Sequence, residues 1–108
     1  HNVENATAAI AIALQVGVTP ESLREGLLSF KGIKRRFEFI IRTEKTVYID
    51  DYGHHPTELK AAIGAAKQLF PNRKVTGIFQ PHLYSRTRDF VDGFAEALDG
   101  LDEILLMD

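Results

Sequence analysis

An α/β fold with a mostly parallel sheet, preceded by a short helical stretch, is what the order of apolar segments in this chain predicts. From Phe37 onward, strand-like runs alternate with helix-like ones, the order that gives crossover connections and parallel pairing. Before Gly32 the apolar spacing is helical. The polar side chains crowd into the strand-to-helix turns at Asp50 to Glu58 and Gln80 to Arg88, where α/β sheets bind ligands. A boundary near Gly32 therefore divides a helical part, residues 1–31, from an α/β domain, residues 32–108.

The elements follow in order. Asn2 to Val16 reads as a helix rich in alanine, with Ile10 and Leu14 one turn apart and Gly17 suited to its C-terminal cap. So many small residues imply close packing against a neighbour. Thr19-Pro20-Glu21-Ser22 starts a second helix, with a capping threonine and proline at the first position. It runs to about Ser29 with Leu23, Leu27 and Leu28 inward. Phe30 to Lys34 is a linker. Phe37 to Arg42 and Thr46 to Asp50 are strands around the turn Thr43-Glu44-Lys45. A helix from Pro56 to Phe70 puts Leu59, Ile63 and Ala66 on one face, and Pro71-Asn72 stops it. Lys74 to Phe79 is a strand, Gln80-Pro81-His82 a polar loop, Arg88 to Leu98 a helix, and Glu103 to Met107 a last strand.

Composition excludes several functions. A net charge of −2 gives no nucleic-acid footprint. With no cysteine there is neither a disulfide framework nor a thiolate metal site. The longest apolar run, Ala8 to Leu14, is too short to span a bilayer. The chain starts at His1 without methionine and stops just after an apolar strand, so both ends look cut.

The richest segment is Asp50-Asp51-Tyr52-Gly53-His54-His55-Pro56-Thr57-Glu58. Packing alone asks for none of these polar side chains. Asp51 at a strand end suits ribose hydroxyls or a turn cap, and Tyr52 and His54 suit contact with a substrate or its amine, a surface role being the plainer reading of the histidines. Adjacent histidines usually point apart, so no metal site is expected. His82 and Arg86 belong to the next turn, where Arg86 can clamp a carboxylate through its planar fork. Ser85 or Thr87 as a helix cap is the plainer reading of that loop. Lys34-Arg35-Arg36 suits a phosphate or a solvated hinge. Asn2 and Asn5 share a helix face and suit an adenine edge, though asparagines at a helix start usually cap it. Polar turns gathered on one sheet edge make a binding crevice the default reading.

Four segments resemble the Mur ligases. His1-Asn2-Val3-Glu4-Asn5-Ala6, followed by Ala8-Ala9, is similar to their His-Asn-x-x-Asn-Ala motif. Gly32-Ile33-Lys34-Arg35-Arg36-Phe37-Glu38 is similar to their domain junction, and Asp50 to Glu58 and Phe79 to Thr87 resemble the alanine-adding branch. The resemblance implies a three-domain enzyme, with residues 1–31 the helical end of the central ATP-binding domain and residues 32–108 most of a Rossmann-like C-terminal domain, incomplete at its C-terminus. It implies ATP and magnesium as cofactors, with UDP-N-acetylmuramate and L-alanine as substrates. The lactyl carboxylate is phosphorylated and the alanine amine attacks the acyl phosphate, the first peptide bond of the peptidoglycan stem. Its partners are the missing N-terminal and central domains of the same protein, with no nucleic acid and no membrane, in a bacterial cytoplasm.

Residue by residue, the resemblance gives His1, Asn2 and Asn5 to the adenine, Arg36 to the phosphates or ribose, and Asp51 to the ribose. It gives Tyr52, His54, His82 and Arg86 to the alanine and the reacting carboxylate. Many relatives carry a basic residue where this chain has Leu83, which leaves the carboxylate clamp to Arg86 and His82. The rival within the family is the murein-tripeptide recycling ligase, which usually reads Phe-Ala before the histidines; Tyr52-Gly53 and Glu58 favour alanine addition. A non-catalytic Rossmann-like nucleotide- or protein-binding module is the alternative of another class. No Gly-Lys-Thr phosphate loop is present, so these residues alone are expected to turn nothing over.

Overall fold

A computed structural model describes residues 2–108. They form two compact units, one ending at Gly32 and one running from Ile33 to Asp108.

The first unit is a helix pair, α1 (Asn2–Gln15) and α2 (Pro20–Ser29). Gly17 ends α1 at φ +87°, a conformation glycine adopts without a Cβ penalty. The Val18 amide closes the turn on the Ala13 carbonyl at 3.0 Å. Thr19 Oγ1 then accepts the Ser22 amide at 3.3 Å and Pro20 opens α2, as the Thr-Pro-Glu-Ser spacing predicts. Ile10 and Leu14 of α1 share a shallow apolar groove with Leu23 and Leu27 of α2.

The second unit begins with a hairpin, β1 (Glu38–Arg42) and β2 (Val47–Asp50), paired antiparallel with Glu38 opposite Asp50. Thr43 closes its turn: its amide reaches the Thr46 carbonyl at 2.9 Å and its hydroxyl accepts the Thr46 amide at 2.9 Å. Then come α3 (Pro56–Leu69), β3 (Thr76–Phe79), α4 (Tyr84–Asp89), α5 (Val91–Leu98) and β4 (Glu103–Leu106). β3 and β4 pair in parallel, Thr76 opposite Glu103. Asp102 fixes the start of that pair by accepting the Val75 amide at 2.8 Å and the Lys67 ammonium at 3.0 Å.

The core lies between α3 and α5, where Ile63, Phe94, Ala97 and Leu98 are buried. The Phe94 ring reaches Phe79 of β3 at 5.3 Å between centroids. Gly77 lets Leu101 close over β3: a Cβ there would sit 2.3 Å from Leu101 Cδ1. Among the described residues no helix is long and apolar enough to cross a membrane.

The mixed α/β class holds, with two refinements. Hydrogen bonds divide the strands into two pairs, β1 with β2 and β3 with β4, and only the second pair is parallel. The tight Thr43–Thr46 turn zips β2 onto its sequence neighbour, so its ladder goes to β1. The helix expected from Arg88 to Leu98 is instead two helices broken at Phe90, and the first starts at Tyr84. Phe90, at φ −123° and ψ 21°, donates its amide to the Arg86 carbonyl, and its ring meets His55 at 4.9 Å. That ring contact lies at the break, and no glycine or proline announces it.

Candidate functional site

Within the second unit, the turn after β2 and the loop after β3 face each other across a cleft of about 390 Å³. That volume lies in the range of small-molecule sites. Asp50, Asp51, Tyr52 and His54 line one side, and Phe79, Gln80 and His82 the other. Arg35 reaches in from the segment before β1.

Asp51 ties the first wall together. Its Oδ1 accepts the Gly53 amide at 2.8 Å and its Oδ2 accepts the Phe37 amide at 2.8 Å. One carboxylate thus holds both its own turn and the chain entering β1. That entry is bent: Arg35 and Phe37 take φ of 57° and 52°, a region that L side chains rarely adopt. Glu38 Oε2 accepts the Arg35 amide at 2.8 Å, and the Arg35 carbonyl accepts the Tyr52 amide at 2.8 Å. These bonds keep the left-handed residues in place. The bend carries the Arg35 guanidinium over the Tyr52 ring at 4.7 Å, with Asp50 Oδ2 at 3.5 Å from Arg35 Nε. The Tyr52 ring in turn lies 5.4 Å from that of His54.

α3 is capped by histidine. His55 Nδ1 accepts the Thr57 amide at 3.3 Å, and Pro56 supplies the first helical residue. Glu58, at the third helical position, reaches back in the manner of a capping box and accepts the His54 amide at 3.1 Å. That amide holds the Glu58 carboxyl below its ordinary value, with the His54 ring and Arg36 adding to it against partial burial. Arg36 Nη1 stands 3.7 Å from Glu58 Oε1, and His54 Nδ1 stands 3.2 Å from Oε2. The His54 contact has the distance of an ion pair but no hydrogen bond, so Nδ1 is buried without a partner.

The loop after β3 ends in a third residue at positive φ. Leu83 has φ 70° at the start of α4, and no side chain caps that helix. Ser85 and Thr87, the capping candidates, lie inside α4, where the Thr87 hydroxyl donates to the Leu83 carbonyl at 3.2 Å.

The cleft therefore brings together Asp51, Tyr52, His54 and His82 of the residues singled out in the sequence. Arg36 and Arg86 do not line it; Arg36 pairs with Glu58, and Arg86 sits in α4. Asn2 and Asn5 stand in the first turns of α1, in the other unit, and His1 lies outside the described residues. The reading of the sequence passed over Asp50 and weighed Arg35 only within a basic run. Glu58 carried a visible signal, since it lies three residues beyond the capping His55. Chemically, the cleft offers carboxylate acceptors for hydroxyl or ammonium donors and a guanidinium plane for an anionic or aromatic group. Among the described residues no three His, Cys, Asp or Glu side chains converge on a metal position.

Comparison with known proteins adds to this geometry. The family described as Mur ligase, glutamate ligase domain, matches residues 35–108. Over the whole chain, the sequence is 56% identical to the UDP-N-acetylmuramate–L-alanine ligase of Flavobacterium psychrophilum, of which it spans 24%. The crystal structure of the UDP-N-acetylmuramate-alanine ligase MurC from Thermotoga maritima is similar over 98% of the chain and 23% of its own, with a TM-score of 0.84 and 37% identity. A murein peptide ligase from Psychrobacter arcticus covers 100% of the chain, and 29% of its own length is matched, at a TM-score of 0.61 and 24% identity. That last likeness is one of fold.

Proposed function

The chain belongs to the Mur ligase family, and from that premise we propose that it is the end of the central domain and most of the C-terminal domain of an ATP-dependent ligase joining L-alanine to the lactyl carboxylate of UDP-N-acetylmuramate. The observation that carries this reading is 56% identity, along the entire chain, to a relative named for that reaction. The cleft supports it, because it gathers a carboxylate, a phenol and two imidazoles that suit a polar amine-bearing substrate beside a sugar hydroxyl.

In this reading the chain's residues bind and orient. An ionised carboxylate has about four lone-pair positions. Two of those on Asp51 are taken by the Phe37 and Gly53 amides, and the remaining ones receive the ribose hydroxyls of ATP. Arg36 serves the nucleotide phosphates or ribose, and His1, Asn2 and Asn5 the adenine. Tyr52 and His54 hold the alanine amine and His82 takes its carboxylate, joined by Arg86, which stands in α4 outside the cleft lining and has to turn inward to reach it; Leu83 has no charge to offer. Held in this way, the amine is placed for attack on the acyl phosphate, and placement supplies much of the rate in such reactions. The described residues offer magnesium no set of three ligands, and one or two carboxylates hold it only together with phosphate oxygens. Its ligands, like the phosphate loop and the UDP surface, belong to the remainder of the protein. A cytoplasmic place of action goes with these substrates.

The test is a ligation assay on the full-length protein with ATP and UDP-N-acetylmuramate. L-alanine is expected to be consumed, with release of phosphate. Use of murein tripeptide in place of alanine, or ATP binding without any ligation, overturns the reading. The 108-residue chain alone is expected to be inactive, for want of the phosphate loop.

A further inference from the structure

One buried nitrogen beside the cleft is left unexplained by any of these roles. His54 Nδ1 is buried with no hydrogen-bond partner, yet Glu58 Oε2 lies 3.2 Å from it. A neutral imidazole carries its proton on one ring nitrogen and a lone pair on the other. A bare lone pair on Nδ1 would face a carboxylate oxygen, shielded from water, which is repulsive and leaves a buried polar atom unpaired. A proton on Nδ1 makes the same approach attractive, and a small rotation of the ring completes the bond.

Glu58 is held in the form that this requires. The His54 amide and, less strongly, Arg36 lower its carboxyl, which keeps it ionised. The exposed part of the ring matters too. One third of the His54 side chain, 33%, is open to solvent. Nδ1 is the ring nitrogen buried without a partner, and His54 lines the cleft.

We propose that Glu58 is a positioning residue that locks His54 as the Nδ1–H tautomer, so that the ring presents the Nε2 lone pair to the cleft. A hydrogen-bond donor is then what binds against it. On the ligase reading above, on which this last identification rests, that donor is the ammonium group of the amino acid. The other charged groups around the ring are otherwise engaged. Arg35 pairs with Asp50, Asp51 accepts the Phe37 and Gly53 amides, and Arg36 stands 3.7 Å from the other Glu58 oxygen, Oε1. His82 shares the cleft from the facing loop, and the Tyr52 ring lies 5.4 Å from His54.

Ring nitrogen shifts of histidine-labelled full-length protein, with the His54 signals assigned by their loss in His54→Gln, read the tautomer directly. Expected is a protonated Nδ1 and a bare Nε2 in the wild type, lost or mixed in Glu58→Gln, whose amide can donate to Nδ1. A helix cap alone would not move that signature. A wild-type Nε2–H tautomer overturns the proposal without reference to any variant or activity. So does a tautomer unchanged by Glu58→Gln. In the ligation assay Glu58→Gln is expected to raise the KM for alanine by about 10-fold or more, the scale of one lost hydrogen bond to a charged group, with a smaller change in the KM for ATP. Absence of alanine ligation by the wild type refutes the ligase reading and leaves the tautomer result standing.

Discussion

Replacing Asp51 by alanine removes the acceptor of two backbone amides at once, those of Phe37 and Gly53, each bonded at 2.8 Å. Hydrogen bonds to a charged group contribute about 1.5–3 kcal/mol each. The cleft is open, so water recovers part of the loss, and the lower end applies to both, about 3 kcal/mol in total. The loss also releases Phe37, whose φ of 52° is strained without that bond. For a unit the size of residues 33–108, each kcal/mol moves Tm by about 4–8 °C, so Asp51→Ala is expected to melt about 12–24 °C lower. Asp51→Asn keeps one acceptor oxygen and is expected to lose about half as much. Circular dichroism melts of the 108-residue chain measure this. In the full-length protein the same change is expected to raise the KM for ATP by about 10- to 150-fold, and that for alanine less. A Tm within about 2 °C of wild type would show that both amides are satisfied by water, and the stability argument fails. An unchanged ATP dependence removes Asp51 from the nucleotide site, whatever the melt shows.

Three further outcomes are expected. Gly77→Ala places a Cβ 2.3 Å from Leu101 Cδ1 and is expected to cost about 1–3 kcal/mol in denaturant unfolding; Leu101→Ala in the same chain should restore most of it, and an unaltered midpoint in the single variant contradicts the packing at β3. The Glu58 carboxyl is lowered from 4.5, so its contribution is present above that value and lost as pH falls through the folded one. Glu58→Gln should therefore flatten the stability-against-pH curve below about pH 4.5, and a curve parallel to wild type argues against the His54 and Arg36 contacts. Arg86→Ala is expected to lower kcat/KM for alanine by about 10- to 150-fold with the KM for ATP spared; a change confined to ATP moves Arg86 out of the alanine site.

What the sequence disclosed depended on whether a residue type advertises its backbone. Gly17, Thr19 and Pro20 do so, and the structure puts the helix end, the cap and the first helical residue at those positions. Pro56 marked the start of α3 in the same way. Arg35, Phe37 and Leu83 take positive φ with side chains that give no such notice; at Arg35 and Phe37 hydrogen bonds to Glu38, Tyr52 and Asp51 hold the conformation. Arg35, and not its neighbour Arg36, therefore reaches the cleft. The break at Phe90 was hidden for the same reason: a ring contact with His55 is a tertiary event. The polar turns were legible as a crevice because packing gives no account of their side chains. Which nitrogen of His54 would be buried was not legible, since it depends on where Glu58 comes to rest.

The β3–β4 pair has a bearing on handling the chain by itself. Among the described residues β4 pairs with no strand but β3, and its Ile104, Leu105 and Leu106 are 43%, 55% and 67% exposed. A free, apolar strand edge is a template for any other extended segment, and natural proteins blunt such edges with charge, proline or a covering element. Here the charge of β4 is confined to Glu103, which pairs with Lys74, and none of Ile104, Leu105, Leu106 and Met107 carries any. Purified alone, the chain meets its own copies before anything else, so concentration sets the time for which it stays dispersed. Lysine substituted for Leu106 is the smallest edit that puts a gatekeeper on that edge.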